Sequence, residues 1–116
     1  MNWFEHEYLV PVIIGNERDS LNAAKVIYKA TGIKPHLFAE KFSFFQRLGY
    51  NCHVVSPMRE VFLVDRLASF AASLEEYYCP ILVLSSDNCR LVTNYSDVIE
   101  SAYVVINLEE ILNFGR

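Results

Sequence analysis

The chain has 116 residues, 53% of them hydrophobic and 21% charged, with a formal net charge of −4. That length suits one domain with a single core, and the composition excludes a disordered chain. The acidic balance also excludes a nucleic-acid surface, which needs clustered Lys and Arg; here the nearest to a cluster is Arg59 with Arg66.

Residues 1–8 read as an arm or edge segment, with Trp3, Phe4 and Tyr8 able to pack on the body. The first strand covers 9–15. Val10, Val12, Ile13 and Ile14 are apolar on both faces, as in a central parallel strand. Pro11 has no N–H, so it belongs near the strand start or beside a free edge. The first helix is predicted over 20–31, with Leu21, Ala24, Ile27, Tyr28 and Thr31 on one face. Asp19 or Ser20 is its natural N-cap and Gly32 its C-cap.

A second strand follows at 33–39, pairing mainly from His36 because Pro35 weakens its first half. Residues 40–50 fit either a short helical turn or an irregular segment. A short third strand is expected at 51–55. Ser56-Pro57 reads as a helix start, with a second helix over 57–78 whose buried stripe is Leu63, Leu67, Phe70, Leu74 and Tyr78. Pro80 ends it and opens a fourth strand at 81–86. Asp87 can cap a helix at 88–95, and Ser96 a second one at 96–101. A last strand occupies 102–107, and 108–116 begin a helix.

Strands alternating with helices predict an α/β fold: a Rossmann-like three-layer sandwich with a mostly parallel sheet of four to five strands, ordered 3-2-1-4-5. Ligands of such sheets bind at the carboxyl ends of the strands. The apolar runs are strand-length, so no membrane span is predicted. Cys52, Cys79 and Cys89 have no metal-type spacing, and the N-terminus has no basic run, so the expectation is reduced thiols in a cytoplasmic protein.

The run Val10-Pro-Val-Ile-Ile-Gly15, with a helix ending Tyr28-Lys-Ala-Thr-Gly-Ile33-Lys, resembles the N-terminus of bacterial ATP-grasp carboxylate–amine ligases. These include D-aspartate ligase-like enzymes and, more distantly, the carbamoyl-phosphate synthase large chain. Leu82-Val-Leu-Ser-Ser-Asp87 resembles a second landmark of their first, pre-ATP-grasp domain. Tyr103-Val-Val-Ile106 and Leu108-Glu-Glu-Ile-Leu112 resemble its exit. The resemblance implies a pre-ATP-grasp domain over 9–107 and a linker start at 108–116. It also implies an ATP-grasp domain in cis that would bind ATP and Mg²⁺, an amino-acid-like substrate, and a homodimer. No cofactor is expected in this chain itself, and alone it should not ligate anything. The loop Asn16-Glu-Arg-Asp-Ser20 is bulkier and more charged than the family's small-residue loop.

The candidate site residues lie at two strand ends. Gly15, Asn16, Asp19 and Ser20 follow the first strand at a helix N-terminus, which favours an anion such as a substrate carboxylate. Glu17 and Asp19 oppose a phosphate there, while Arg18 can offset them or take a carboxylate. Ser85, Ser86 and Asp87 end the fourth strand, expected beside the first, so the two loops should face each other across a crevice. A capped turn with solvated charges is the plainer account of both loops. Gly15 has no glycine partners to make a phosphate cradle, and Glu40 and Lys41, where a Rossmann enzyme holds ribose, are weak for the same reason. His6, His36 and His53 form no constellation by spacing, and Cys52–His53 cannot alone build a zinc site.

Three functions compete. One is the substrate-pocket domain of an ATP-grasp ligase. Another is a stand-alone small-molecule-binding or regulatory module without catalysis. The third, a receiver-like phosphoryl-handling domain, lacks the acidic cluster and the phosphorylatable Asp that it needs.

Overall fold

Five strands and six helices alternate along residues 8–115, the part of the chain that the computed structural model describes. In chain order they are β1 (Leu9–Ile14), α1 (Arg18–Thr31), β2 (His36–Ala39), α2 (Phe44–Gly49), β3 (Asn51–Val54) and α3 (Glu60–Ala72). β4 (Cys79–Leu84), a 3-10 turn (Ser86–Asn88), α4 (Cys89–Asn94), α5 (Ser96–Ala102), β5 (Val104–Asn107) and α6 (Leu108–Phe114) follow. The strands are all parallel, in the order β3-β2-β1-β4-β5. This is the expected Rossmann-like sandwich. Of the expected N-terminal arm only Tyr8 lies within the described residues; its carbonyl accepts from the Cys79 N–H at 2.9 Å.

Both faces of the sheet are covered. Ile13, Leu37, Ile81 and Val83 pack under α1 and α6 through Ala23, Ala24, Ile27 and Ile111. Val12, Ile14, Phe38 and Leu82 pack under α3, α4 and α5 through Leu63, Leu67, Leu91 and Ile99. Each fully buried Ile or Leu contributes about 1.5–3 kcal/mol. The Tyr103 hydroxyl pins the second layer by donating to the Leu67 carbonyl at 2.6 Å, and its burial pushes the phenol well above its usual pKa.

The two prolines inside strands sit where they break no ladder. The Gly15 N–H donates to Phe38, which directs the N–H groups of β1's odd positions toward β2. Pro11 is one of these, yet β2 begins pairing only at Val12↔His36. Pro80 faces β5 in the same way, and that pairing begins at Ile81↔Val104. Neither missing donor has a partner strand to disappoint.

Several element ends differ from the sequence pattern. α1 starts at Arg18 with Glu17 as N-cap, because the Ser20 hydroxyl turns back to the Ile14 carbonyl (3.3 Å) instead of capping. α3 starts at Glu60, not Pro57: the Val55 N–H still extends the sheet toward Ala39, and 56–59 make the turn through a cis Ser56–Pro57 bond. It stops at Ala72, where the Ser73 hydroxyl donates to the Phe70 carbonyl at 2.6 Å. Tyr78, expected in that helix's buried stripe, is exposed. Residues 40–50 contain a real helix, α2, fixed by a capping box between Ser43 and Gln46. Asp87 sits within the 3-10 turn and makes no side-chain cap for α4, whose N-cap is Asn88. Tyr103 closes α5 by donating to Ile99, so β5 begins at Val104.

His36 and His53, unlinked by spacing, meet on neighbouring strands. The register sets His36 opposite Asn51, which places His53 diagonally beside it. Their rings share a hydrogen bond of 2.9 Å between Nδ1 of His36 and Nε2 of His53. Phe38 stacks on His53, and Phe70 packs against both rings. Such a bond needs one donor and one acceptor, so a doubly protonated pair cannot make it. Burial, then the neighbouring His53, lowers the His36 pKa to about 4; burial and Arg66 lower that of His53.

A base whose folded pKa is depressed stabilises the fold above its unfolded pKa, and loses that contribution as pH falls. For His36 the window runs from 6.5 down to about 4. Because water still reaches part of the ring, the expected loss is about 1–2 kcal/mol rather than the full conversion. Urea denaturation at pH 7.5 and pH 4.5 should show this loss in the wild type. It should be clearly smaller in His36→Gln.

Candidate functional site

The strands end level with one another. Ile14 lies beside Phe38, Ala39 beside Val54, and Leu84 beside Asn107. Loops leaving these ends form the rim of the crevice that open α/β sheets use for ligands.

At the end of β1, Gly15 turns the chain with φ +99°, a conformation costly for any residue with a side chain. A Cβ there would also run into the Glu17 carboxylate, which lies against the glycine. That carboxylate accepts from the Ser20 hydroxyl at 3.1 Å. An acid belonging to the chain thus occupies the strand–helix junction, where a dinucleotide-binding fold seats its pyrophosphate. Glu17 sets a negative charge beside that position.

Asn16 braces the next two loops. Its Nδ2 donates to the Lys41 carbonyl at 2.6 Å and to Gln46 Oε1 at 3.0 Å. The same Gln46 oxygen accepts from the Ser43 N–H, so Asn16 ties the β1 loop to the capping box of α2. Beside this brace lies a cleft of about 550 Å³ lined by Gly15, Asn16, Glu17, Ala39, Glu40, Lys41 and Met58.

Met58 also lines a second cavity, of about 270 Å³, between the starts of α3 and α4. Leu63 and Leu91 contribute apolar wall, and Arg59, Glu60, Asp87, Asn88 and Arg90 contribute polar groups. Asn88 is held by Ser85, accepting its Nδ2 at 3.3 Å, and Glu60 accepts from Asn94 at 3.5 Å. Two arginines and two acidic residues therefore border one small space. Such a set can take a carboxylate bidentately and an ammonium at once.

The candidate residues divide accordingly. Gly15 and Asn16 line the first cleft and Asp87 the second. Arg18 and Asp19 are exposed and line neither. Ser20 is buried and bonded within the junction. Ser85 serves Asn88, and Ser86 begins the 3-10 turn. Half of the second cavity's lining, Met58, Arg59, Glu60 and Arg90, comes from residues that spacing did not single out as a site. The available signal was that 56–59 follow a strand end; the prediction of a helix from Pro57 hid it.

Among the described residues, no group of three or more His, Cys, Asp or Glu converges on a metal-sized space. No helix there is long and apolar enough to cross a membrane. Cys52, Cys79 and Cys89 are free thiols, and burial raises the first two above their ordinary pKa. Comparison with protein-family models, curated proteins and solved structures returns no match.

Gly15→Ala should cost about 2–3 kcal/mol in denaturant unfolding, from positive φ and the collision with Glu17. Adding Glu17→Ala should recover part of that loss. If the second substitution recovers nothing, the carboxylate does not crowd the glycine.

Proposed function

We propose that this chain is a small-molecule-binding α/β domain that holds an amino-acid-like zwitterion in the crevice and does no chemistry alone. The observation that carries this reading is the charge pattern of the second cavity, with Arg59 and Arg90 beside Glu60 and Asp87 around an apolar wall. Opposite charges in one enclosure suit a ligand bearing both an ammonium and a carboxylate. Neither cavity lining contains a His, Cys or Ser, which favours holding over nucleophilic attack. Glu17 at the strand–helix junction favours a ligand without phosphate.

In its fuller form, this is the N-terminal substrate-pocket domain of an ATP-grasp carboxylate–amine ligase. ATP and Mg²⁺, on a separate domain in cis, would supply the activation of a carboxylate. This domain's role would be to bind and orient the reactant that carries the amine. Support comes from the strand order, the level rim of strand ends and the mixed charge beside them. In the cell such a domain works in the cytoplasm, in keeping with its free thiols.

The test is NMR titration of the chain with a panel of α-amino acids, with inorganic phosphate, and with ATP–Mg²⁺. At least one amino acid should shift the amides of 58–60 and 87–91. Arg59→Ala or Asp87→Asn should weaken that binding tenfold or more, since each removes a charged hydrogen bond worth about 1.5–3 kcal/mol. Tight ATP binding centred on Gly15 would overturn the proposal and indicate a nucleotide module. Silence from every amino acid would overturn it as well.

A further inference from the structure

Short helix α2 stands out from the body with three large apolar side chains in water. Phe44 is 70% exposed, Phe45 81% and Leu48 67%. The helix is nevertheless firmly set. It carries a complete capping box, Gln46 is held by Asn16, and the Cys52 thiol donates to the Gln46 carbonyl at 3.4 Å. A rigid apolar knob has already met the ordering cost of binding. It is also basic: residues 41–59 contain Lys41, Arg47 and Arg59 and no Asp or Glu.

A matching groove lies in the opposite layer. At the amino ends of the strands, α3 and α5 leave a hollow of about 470 Å³. Ala68, Ala71, Ala72 and Ala102 give it an apolar, shallow-walled floor, and Glu75 and Glu76 stand at its rim. The surrounding sequence holds no cation: there is no Lys or Arg from Leu67 to Cys89, nor from Leu91 to Gly115. Volumes of roughly 300–1,000 Å³ take drug-sized groups, so there is room for a pair of phenyl rings.

The geometry points to head-to-tail self-association, with the α2 knob of one copy seated in the α3–α5 groove of the next. Within one chain the two surfaces cannot meet, because α2 flanks the layer of α1 and α6 while the groove belongs to the layer of α3 and α5. Apolar aromatic groups meet alanine surface, and Arg47 and Lys41 meet Glu75 and Glu76. The contact is heterologous, so it leaves one knob and one groove free at the ends of every open assembly. Its small size and charged rim make it transient and salt-sensitive.

Complementation between variants tests this. Phe45→Asp removes the knob and leaves the groove; Ala72→Trp fills the groove and leaves the knob. Both positions are exposed, so circular dichroism should show native folds. In sedimentation velocity the wild type should grow in mass with concentration, less so in 0.5 M salt. Each variant alone should stay monomeric. An equimolar mixture should form a heterodimer and nothing larger, because its one productive contact uses up the only intact knob and the only open groove. A wild type that stays monomeric up to millimolar concentration overturns the proposal. So does a mixture that fails to pair, or a variant that associates as the wild type does. None of these readouts depends on a small-molecule ligand.

Discussion

A parallel sheet must have both faces covered, and most of this structure follows from that requirement. Each crossover has to travel back over a face, so every connection delivers a helix to one layer or the other. β1 lies at the centre and is buried along its whole length. β4 starts level with it, but β2 starts later along its axis, beside Val12, and β5 starts later along β4, beside Ile81. This stagger gives Pro11 and Pro80 places without a strand to serve. At the carboxyl ends there is no stagger, and the loops leave from a level edge. The same constraint that makes the core makes the crevice.

The buried strands were legible because their composition is extreme: LVPVII and ILVL are apolar at every position, which only a strand covered on two sides tolerates. Gly32 was legible as a stop because a helix end in the left-handed region wants glycine, and its φ is 74°. What the pattern could not show were events decided by a single side-chain hydrogen bond. Ser20 has the chemistry of a cap, yet its hydroxyl finds Ile14 and Glu17 first. Ser73 stops α3 although the apolar spacing runs on to Tyr78. The capping box of Ser43 and Gln46 organises a segment whose phenylalanines alone say nothing about direction.

The order of the strand-end loops was legible, but not which of them share a cavity. Strand order set the loops after β1 and β4 side by side, yet they do not share a cavity: Gly15 and Asn16 line one cleft and Asp87 the other. In the smaller cavity Asp87, Asn88 and Arg90 from after β4 are joined by Arg59 and Glu60 from after β3, carried there by the short chain path from Val55 to Glu60. No periodicity encodes that path. His36 and His53 make the same point at the half-buried margin of the sheet: they are 17 positions apart, and only the register of two four-residue strands brings their rings together.

Among the described residues β3 is an edge strand, and there the chain separates surfaces it protects from surfaces it offers. The Val55 N–H points inward to Ala39, so Cys52 and Val54 present their backbone groups outward. An unpaired parallel edge is an invitation to add a strand. Arg66 closes part of it by donating to the Val54 carbonyl at 3.2 Å. A long cation lying across the edge obstructs backbone pairing more than it obstructs side-chain contact. The side chains on this side of the molecule stay accessible: the aromatic rings of α2 are exposed, on a helix fixed by its capping box.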